Sequence, residues 1–407
     1  MSVVKQYMDY RGRSIVKLRK SIRICGDEHM GVRLGNICRF QSGGTPSKGK
    51  PEFFNGTIPW ITTTALNGGN IGKESAVDWI SEQAIKESAA KIVPAFSIMV
   101  GTRVGVGKVA INTTSMSTSQ DIVSLLDIDE NVWSKAFLCK FLQAKGTFLN
   151  SQARGATIKG IKIDVLSELE LPEIPMEEQQ HISQIIDKIK AIIVIRQQQL
   201  QKLDDLVKAR FVELFGPCQS MASMDELCSI ITDGTHQPPK FHSDGIPFIF
   251  VSNLVKNTVT YNAEKFISEE TYSELYKRTP IEVGDLLLST VGSYGHPAVV
   301  VEDRKFLFQR HIAYLKPKRD IVNSFYLHAA LLSPDSQRQI EEKVKGIAQK
   351  TLNLSEIKKI LIPLPSIEEQ NAFEVFVKQT DKSKAAVQKA LDEAQLLFDS
   401  LMQKYFQ

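Results

Sequence analysis

The side chains that could do chemistry in this chain sit on short glycine-rich turns, and they are hydrogen-bonding groups rather than nucleophiles. One set is Thr62, Thr63, Thr64, Asn67, Arg103 and Lys108; a second is His236, Lys240, His242, Ser252, Asn253, Tyr294 and His296. Arginine and lysine can pair with guanine edges and asparagine with adenine, so these turns suit contact with bases in a DNA groove. Arg154, Lys159, Lys345 and Lys350 flank glycine-containing loops and suit phosphate contact, which positions without specifying. Taken singly, each of these residues also reads as an ordinary solvated loop residue.

Other chemistries find no motif. Transfer of a methyl group to an exocyclic amine needs a short Asn/Asp-Pro-Pro-aromatic stretch. Gln237-Pro238-Pro239-Lys240 lacks both the acid or amide and the aromatic. A phosphate-cradling loop needs Gly, four residues, then Gly-Lys-Ser/Thr; Gly107-Lys108 is followed by Val109, and Thr102 stands where the first Gly should be. Asp233-Gly234-Thr235-His236 reads as a turn, because its counterpart in the other half of the chain has neither the Asp nor the His. The histidines form no HxxxH or HxH metal pair. His236 and His242 lie on one proline-containing loop, and no carboxylate cluster suits a magnesium-dependent nuclease.

The turns belong to a duplicated frame. Gly43-Gly44-Thr45 is answered by Asp233-Gly234-Thr235, Ile58-Pro59-Trp60-Ile61 by Ile246-Pro247-Phe248-Ile249, and Thr102–Gly107 by Thr290–Gly295. Gly155–Lys159 is answered by Gly346–Lys350, and Leu171-Pro172 by Ile362-Pro363. The offset drifts between 188 and 191 residues, as loop insertions would make it. Between the anchors the halves differ almost completely. Short β-type runs at Phe96–Val100, Val109–Ile111 and Asp121–Leu126, crowded by turn residues, predict strands, and Ala136–Leu142 predicts a helix.

Each globule is followed by a long helical stretch. Ile182, Ile186, Ile189, Ile193, Leu200, Leu203, Val207 and Leu214 recur at alternating gaps of three and four, the a/d seam of a heptad pattern. An offset of 191 gives a second seam, Phe373, Val377, Thr380, Lys384, Val387, Leu391, Ala394, Phe398, Leu401 and Tyr405. Arg196, Arg210, Thr380 and Lys384 interrupt the pattern. Pro175, Glu177 and Glu178 mark the first start, and Gly216-Pro217 its stop. Ser366 and Glu369 have capping-box spacing at the second start. The expectation is an α+β chain with an internal pseudo-twofold repeat, its two strand-rich globules joined by two long antiparallel helices. Its segments are a basic extension at 1–33, a globule at 34–175, a helix at 176–216, a second globule with a short leading linker at 217–366, and a helix at 367–407.

Composition is ordinary for a globular protein of 407 residues: 43% hydrophobic, 24% charged, net charge +4. No apolar run approaches a membrane span and no secretory leader is evident, which points to the cytoplasm. Cys25, Cys38, Cys139, Cys218 and Cys228 have no metal-ligand spacing and read as reduced, buried thiols. The first 33 residues are basic, and Val16–Ile24 could form a short helix that touches DNA or packs on the body.

From about residue 34 onward the chain closely resembles the specificity subunits of type I restriction–modification systems. The resemblance is carried by Gly43-Gly44-Thr45-Pro46, Ile58-Pro59-Trp60, Gly101–Ile111, Pro175–Gln179 and Leu364–Gln370, in that order and twice over. It implies a non-catalytic phage-defence subunit in which each globule is a target-recognition domain for one half of a bipartite, asymmetric site in double-stranded DNA. The paired helices would form a coiled coil that sets the spacer and docks two adenine-methyltransferase subunits. ATP-dependent restriction subunits would join them. This chain would carry no cofactor; its partners would use S-adenosylmethionine, ATP and Mg. Open at this point are a specificity subunit of a related type II or other defence system, an enzyme with an unrecognised motif, and an adaptor with two protein-binding heads.

Overall fold

Both heptad stretches are 40-residue helices, Met176–Phe215 and Ile367–Phe406, in a computed structural model that describes residues 31–155, 159–254, 256–346 and 350–406. The segment Val16–Ile24 and the centres of the loops at 155–159 and 346–350 lie outside the described residues. The second helix opens on a capping box: the Glu369 amide donates to Ser366 Oγ (3.3 Å) and the Ser366 amide to Glu369 Oε2 (3.0 Å). The first stops where the Gly216 amide bonds Val212 O at 2.8 Å. Among the described residues no helix is long and apolar enough to cross a membrane.

The Glu-Glu-Gln at each helix start has a buried purpose. Gln179 and Gln370 are 1% and 0% exposed. Gln179 Oε1 accepts from the Ser134 amide (2.9 Å), and its Nε2 donates to Val132 O and Ile174 O. Gln370 repeats this with the Asn323 amide (2.8 Å), Ile321 O and Pro365 O. One amide group thus ties the start of each long helix to the start of a core helix, Lys135–Ala144 or Ser324–Leu331. Every buried polar atom of that side chain is satisfied.

The chain divides into two compact units, one of residues up to 191 with those from 394 onward, the other 192–393. The first holds a five-stranded sheet in the order Arg39–Ser42, Ile122–Leu126, Ile98–Gly101, Val109–Asn112, Asn70–Ile71. A four-stranded sheet has the order Asp78–Ile80, Ile58–Ile61, Met116–Thr118, Ile92–Val93. Strand Gly31–Arg33 pairs with Glu170–Pro172, so 31–33 belong to this globule and not to the basic extension. That membership is a backbone pairing, which side-chain pattern does not advertise.

The second unit repeats the order with Cys228–Asp233, Ile312–Pro317, Leu286–Ser289 and Pro297–Val299, and with Lys265–Ile267, Ile246–Ile249 and Leu307–Phe308. Register agrees as well as order: Trp60 faces Ser117 in parallel pairing, as Phe248 faces Leu307. One alignment needs correction. The Gly43 amide bonds Ile122 O and the Gly234 amide bonds Ile312 O, so Gly43 corresponds to Gly234, one residue off the pairing read from sequence. A Cβ on Gly43 would lie 2.3 Å from Ser119 O, and one on Gly234 2.3 Å from Phe308 O. Only glycine admits that backbone approach.

Within the first unit Ile182 and Ile186, at the start of one long helix, share a core with Phe398, Tyr405 and Phe406 at the end of the other. Within the second, Val207, Phe211 and Phe215 share a core with Phe373 and Val377. Start meets end in both, so the helices run antiparallel. Ile189 and Leu401 are buried, and Ile193, Leu200, Leu203, Val387 and Leu391 are half-buried. Leu214 departs from the expected seam. It is 42% exposed, whereas Phe211 and Phe215 are 3% exposed. The seam there advances by four residues twice from Val207, and Leu214 is turned to solvent. The polar interruptions are accommodated: the buried Thr380 hydroxyl donates to Phe376 O (3.0 Å), and Lys384 reaches Asp204 (2.7 Å) and Asp381 (3.3 Å).

Candidate nucleic-acid interface

In the first globule a tight turn joins strands Ile98–Gly101 and Val109–Asn112. The Gly101 amide donates to Lys108 O (2.8 Å) and the Gly107 amide to Gly101 O (3.0 Å). Gly105 and Gly107 have φ of 69° and 81°, a conformation that favours glycine. Buried Thr102 laces this turn to two others. Its amide donates to Asp121 O (2.8 Å), and its carbonyl accepts from the Ile161 amide (2.8 Å). The Ile161 side leads into a loop closed by paired backbone bonds between Arg154 and Gly160, at 2.9 and 3.0 Å.

The second globule repeats these bonds at equivalent positions. The Ser289 amide donates to His296 O and the Gly295 amide to Ser289 O, and Gly292 and Gly295 have φ of 73° and 78°. The Thr290 amide donates to His311 O (2.9 Å), and Thr290 O accepts from the Leu352 amide (2.8 Å). Lys345 and Thr351 close the loop at 3.0 and 2.8 Å. Each globule therefore links three loops by main-chain hydrogen bonds into a crest: a turn before a central strand, a glycine-rich turn and the closing pair of a basic loop.

The DNA specificity domain of type I restriction–modification matches this chain twice, over residues 27–205 and 223–394. The chain belongs to the type I restriction–modification specificity family. It is a DNA-recognition subunit rather than a catalyst. The EcoBI specificity subunit of Escherichia coli is 26% identical over 320 residues, covering 70% of this chain and 67% of that one. The MjaIX specificity subunit of Methanocaldococcus jannaschii is 25% identical over 358 residues, 82% of each. The fold is shared with a type I S subunit from M. genitalium (TM-score 0.54, 15% identity, 95% of this chain and 98% of that one). It is also shared with a chain from work on complex assembly and conformational transition of the type I R-M system (TM-score 0.61, 17% identity, 94% and 98%).

In this specificity subunit the expected DNA-facing residues divide. Arg103, Lys108, Arg154 and Lys159 are exposed around the first crest, as are Lys345 and Lys350 around the second. Lys350 Nζ lies 5.9 Å from the centre of the half-buried Tyr294 ring. Exposed Thr64 shares a 2.8 Å hydrogen bond with half-buried Thr62, and exposed Asn67 accepts from the Gly69 amide. Lys240, His242 and Ser252 are exposed, and His236 pairs with Asp233 at 2.9 Å.

Two expectations are corrected, and a third residue, half-buried His296, is tied to a neighbour. Thr63 is 4% exposed and packs inside the fold. Asn253 is 8% exposed; its Oδ1 accepts from the Phe250 amide (2.9 Å) and its Nδ2 donates to Thr260 O (2.8 Å), so it shapes its loop instead of facing outward. His296 is drawn back onto Asn257, with Nδ1 3.0 Å from Oδ1, and burial lowers its pKa. Sequence reasoning passed over Gln120, Arg310 and His311, which sit on the turn before the central strand of each crest. The signal was present, since Gln120 and Arg310 occupy equivalent places in the repeat, but they precede strands whose apolar residues drew the reading.

Proposed function

We propose that each globule reads one half of a bipartite, asymmetric site in duplex DNA and that the two long helices fix the gap between the halves. The observation that carries this reading is the repeated crest: one backbone frame built twice, with different exposed side chains on it. Two copies of an adenine methyltransferase dock on the helices. Leu206 and Leu397 support that count, being equivalent positions with similar exposure, 48% and 44%. A repeated apolar contact suits two copies of one partner. ATP-dependent restriction subunits join this complex in the cytoplasm. The cofactors S-adenosylmethionine, ATP and Mg belong to the partners.

The test is single-molecule sequencing of methylated adenine in a host expressing this chain with a cognate methyltransferase, against the methyltransferase alone. The expected result is a chain-dependent motif of two unequal halves with a fixed gap. Co-purification of the two proteins with no new motif would sink the reading.

A further inference from the structure

Because the crest is built twice, the molecule carries its own control for what each position does. DNA presents the same phosphate backbone to both globules but different bases. Positions that keep their chemistry across the repeat suit the common task, and exposed positions that change suit the specific one. Arg154 and Lys345 are equivalent cations, as are Lys159 and Lys350, all on the basic loops. The remaining loop of each crest behaves oppositely. Asp121 O and His311 O accept the equivalent Thr102 and Thr290 amides, and the Ile122 and Ile312 amides turn back to Ser119 O and Gln309 O, both at 3.1 Å. At the exposed tip of this identical turn stands Gln120 in one globule and Arg310 in the other.

We propose that Gln120 and Arg310 are the equivalent base-reading side chains of the two globules, Gln120 reading adenine in one half-site and Arg310 reading guanine in the other. This rests on the bipartite-DNA reading above. Glutamine matches the N6/N7 edge of adenine, and arginine matches O6/N7 of guanine, each by a pair of hydrogen bonds in the major groove. Arg310 is prepared for this. Its Nε donates to His311 Nε2 at 3.3 Å, which leaves the two terminal guanidinium nitrogens for the base. Burial, reinforced by the neighbouring Arg310 charge, lowers the His311 pKa and favours the neutral ring that can accept this bond. Its backbone is fixed too, since the Arg310 amide donates to Thr235 O (3.1 Å). His311 is a positioning residue.

The experiment compares methylation motifs, and competition binding to partly randomised duplexes, for the methyltransferase complex carrying wild-type chain, Arg310→Gln, Arg310→Lys, Gln120→Arg or Lys345→Ala. Arg310→Gln should change or relax one base position in one half and leave the other half untouched. Gln120→Arg should do the same in the opposite half. Arg310→Lys keeps the charge but loses the fork, and should reduce the guanine preference about tenfold, within the range for one bidentate pair. Lys345→Ala should weaken binding to all sequences alike and lower the salt slope by about one. A wild-type motif unchanged by both Arg310 variants would overturn the proposal alone. So would changes in the same half from Arg310 and Gln120. A wild-type complex with no bipartite motif would overturn the underlying reading and this proposal with it.

Discussion

The two globules agree in the main-chain bonds and buried polar groups that hold the crest and differ at its exposed tips. Thr102 and Thr290 make the same two backbone bonds, Gln179 and Gln370 the same three contacts, and Gly43 and Gly234 the same close approach. The exposed tips carry Gln120 against Arg310, and exposed Arg103 stands against half-buried Val291. A frame held by main-chain hydrogen bonds and buried amides tolerates any side chain that points outward. Recognition can then diverge without refolding.

The cores beneath the frames differ in kind, and the largest expected effect lies there. Phe373 stands 5.7 Å from Phe211 and 5.5 Å from Phe215, ring centre to ring centre, where the first unit has Ile182. Phe373→Ala should cost about 3–5 kcal/mol in the second unit, and Ile182→Ala about 2–5 kcal/mol in the first. Urea titration with hydrogen exchange resolved by segment would show whether each loss stays in its own unit. Gln179→Leu and Gln370→Leu should each cost about 1–3 kcal/mol by orphaning a buried amide and carbonyls. Equal losses would confirm equal roles, and a large inequality would break the equivalence.

Acid should separate the units further. His296, His311 and His328 of the second globule all have pKa values lowered by burial. Unfolding lets them bind protons at their ordinary pKa near ~6.5. Their contribution is present above that value and declines as pH falls below it toward the lowered folded values. Hydrogen exchange at pH 7.5 and 5.5 should show the second unit losing protection first. The Asn257 loop should lead, since His328 Nε2 bonds Asn257 O at 3.0 Å. The smallest effect is expected at Leu214→Ser, within about 0.5 kcal/mol, as for an exposed site, although the heptad reading places it on the seam.

Much of this was legible in residue order. The duplicated anchors and two heptad stripes specify the α+β repeat and the helices, because apolar spacing and glycine reflect backbone requirements directly. The site was legible only by neighbourhood. Arg103, Arg154 and Lys350 sit on the predicted loops, but whether Thr63 or Asn253 faces out is decided by tertiary burial that polarity does not reveal. Gln120 and Arg310 were hidden because one exposed residue before an apolar strand has no pattern of its own. Leu214 failed because its part of the helix advances in four-residue steps where the heptad alternates three and four.

The placement of Phe406 has a consequence for synthesis. Its ring lies 5.2 Å from Phe137 and 6.3 Å from Phe141, inside the core of the first globule. That globule's main body is translated before residues 192–393, yet it is completed by a segment made after them. At ~5–20 residues per second, the ribosome takes roughly 10–40 s to cross 192–393 before the closing segment emerges. A chain terminated before residue 394 therefore lacks the closing piece of its first globule.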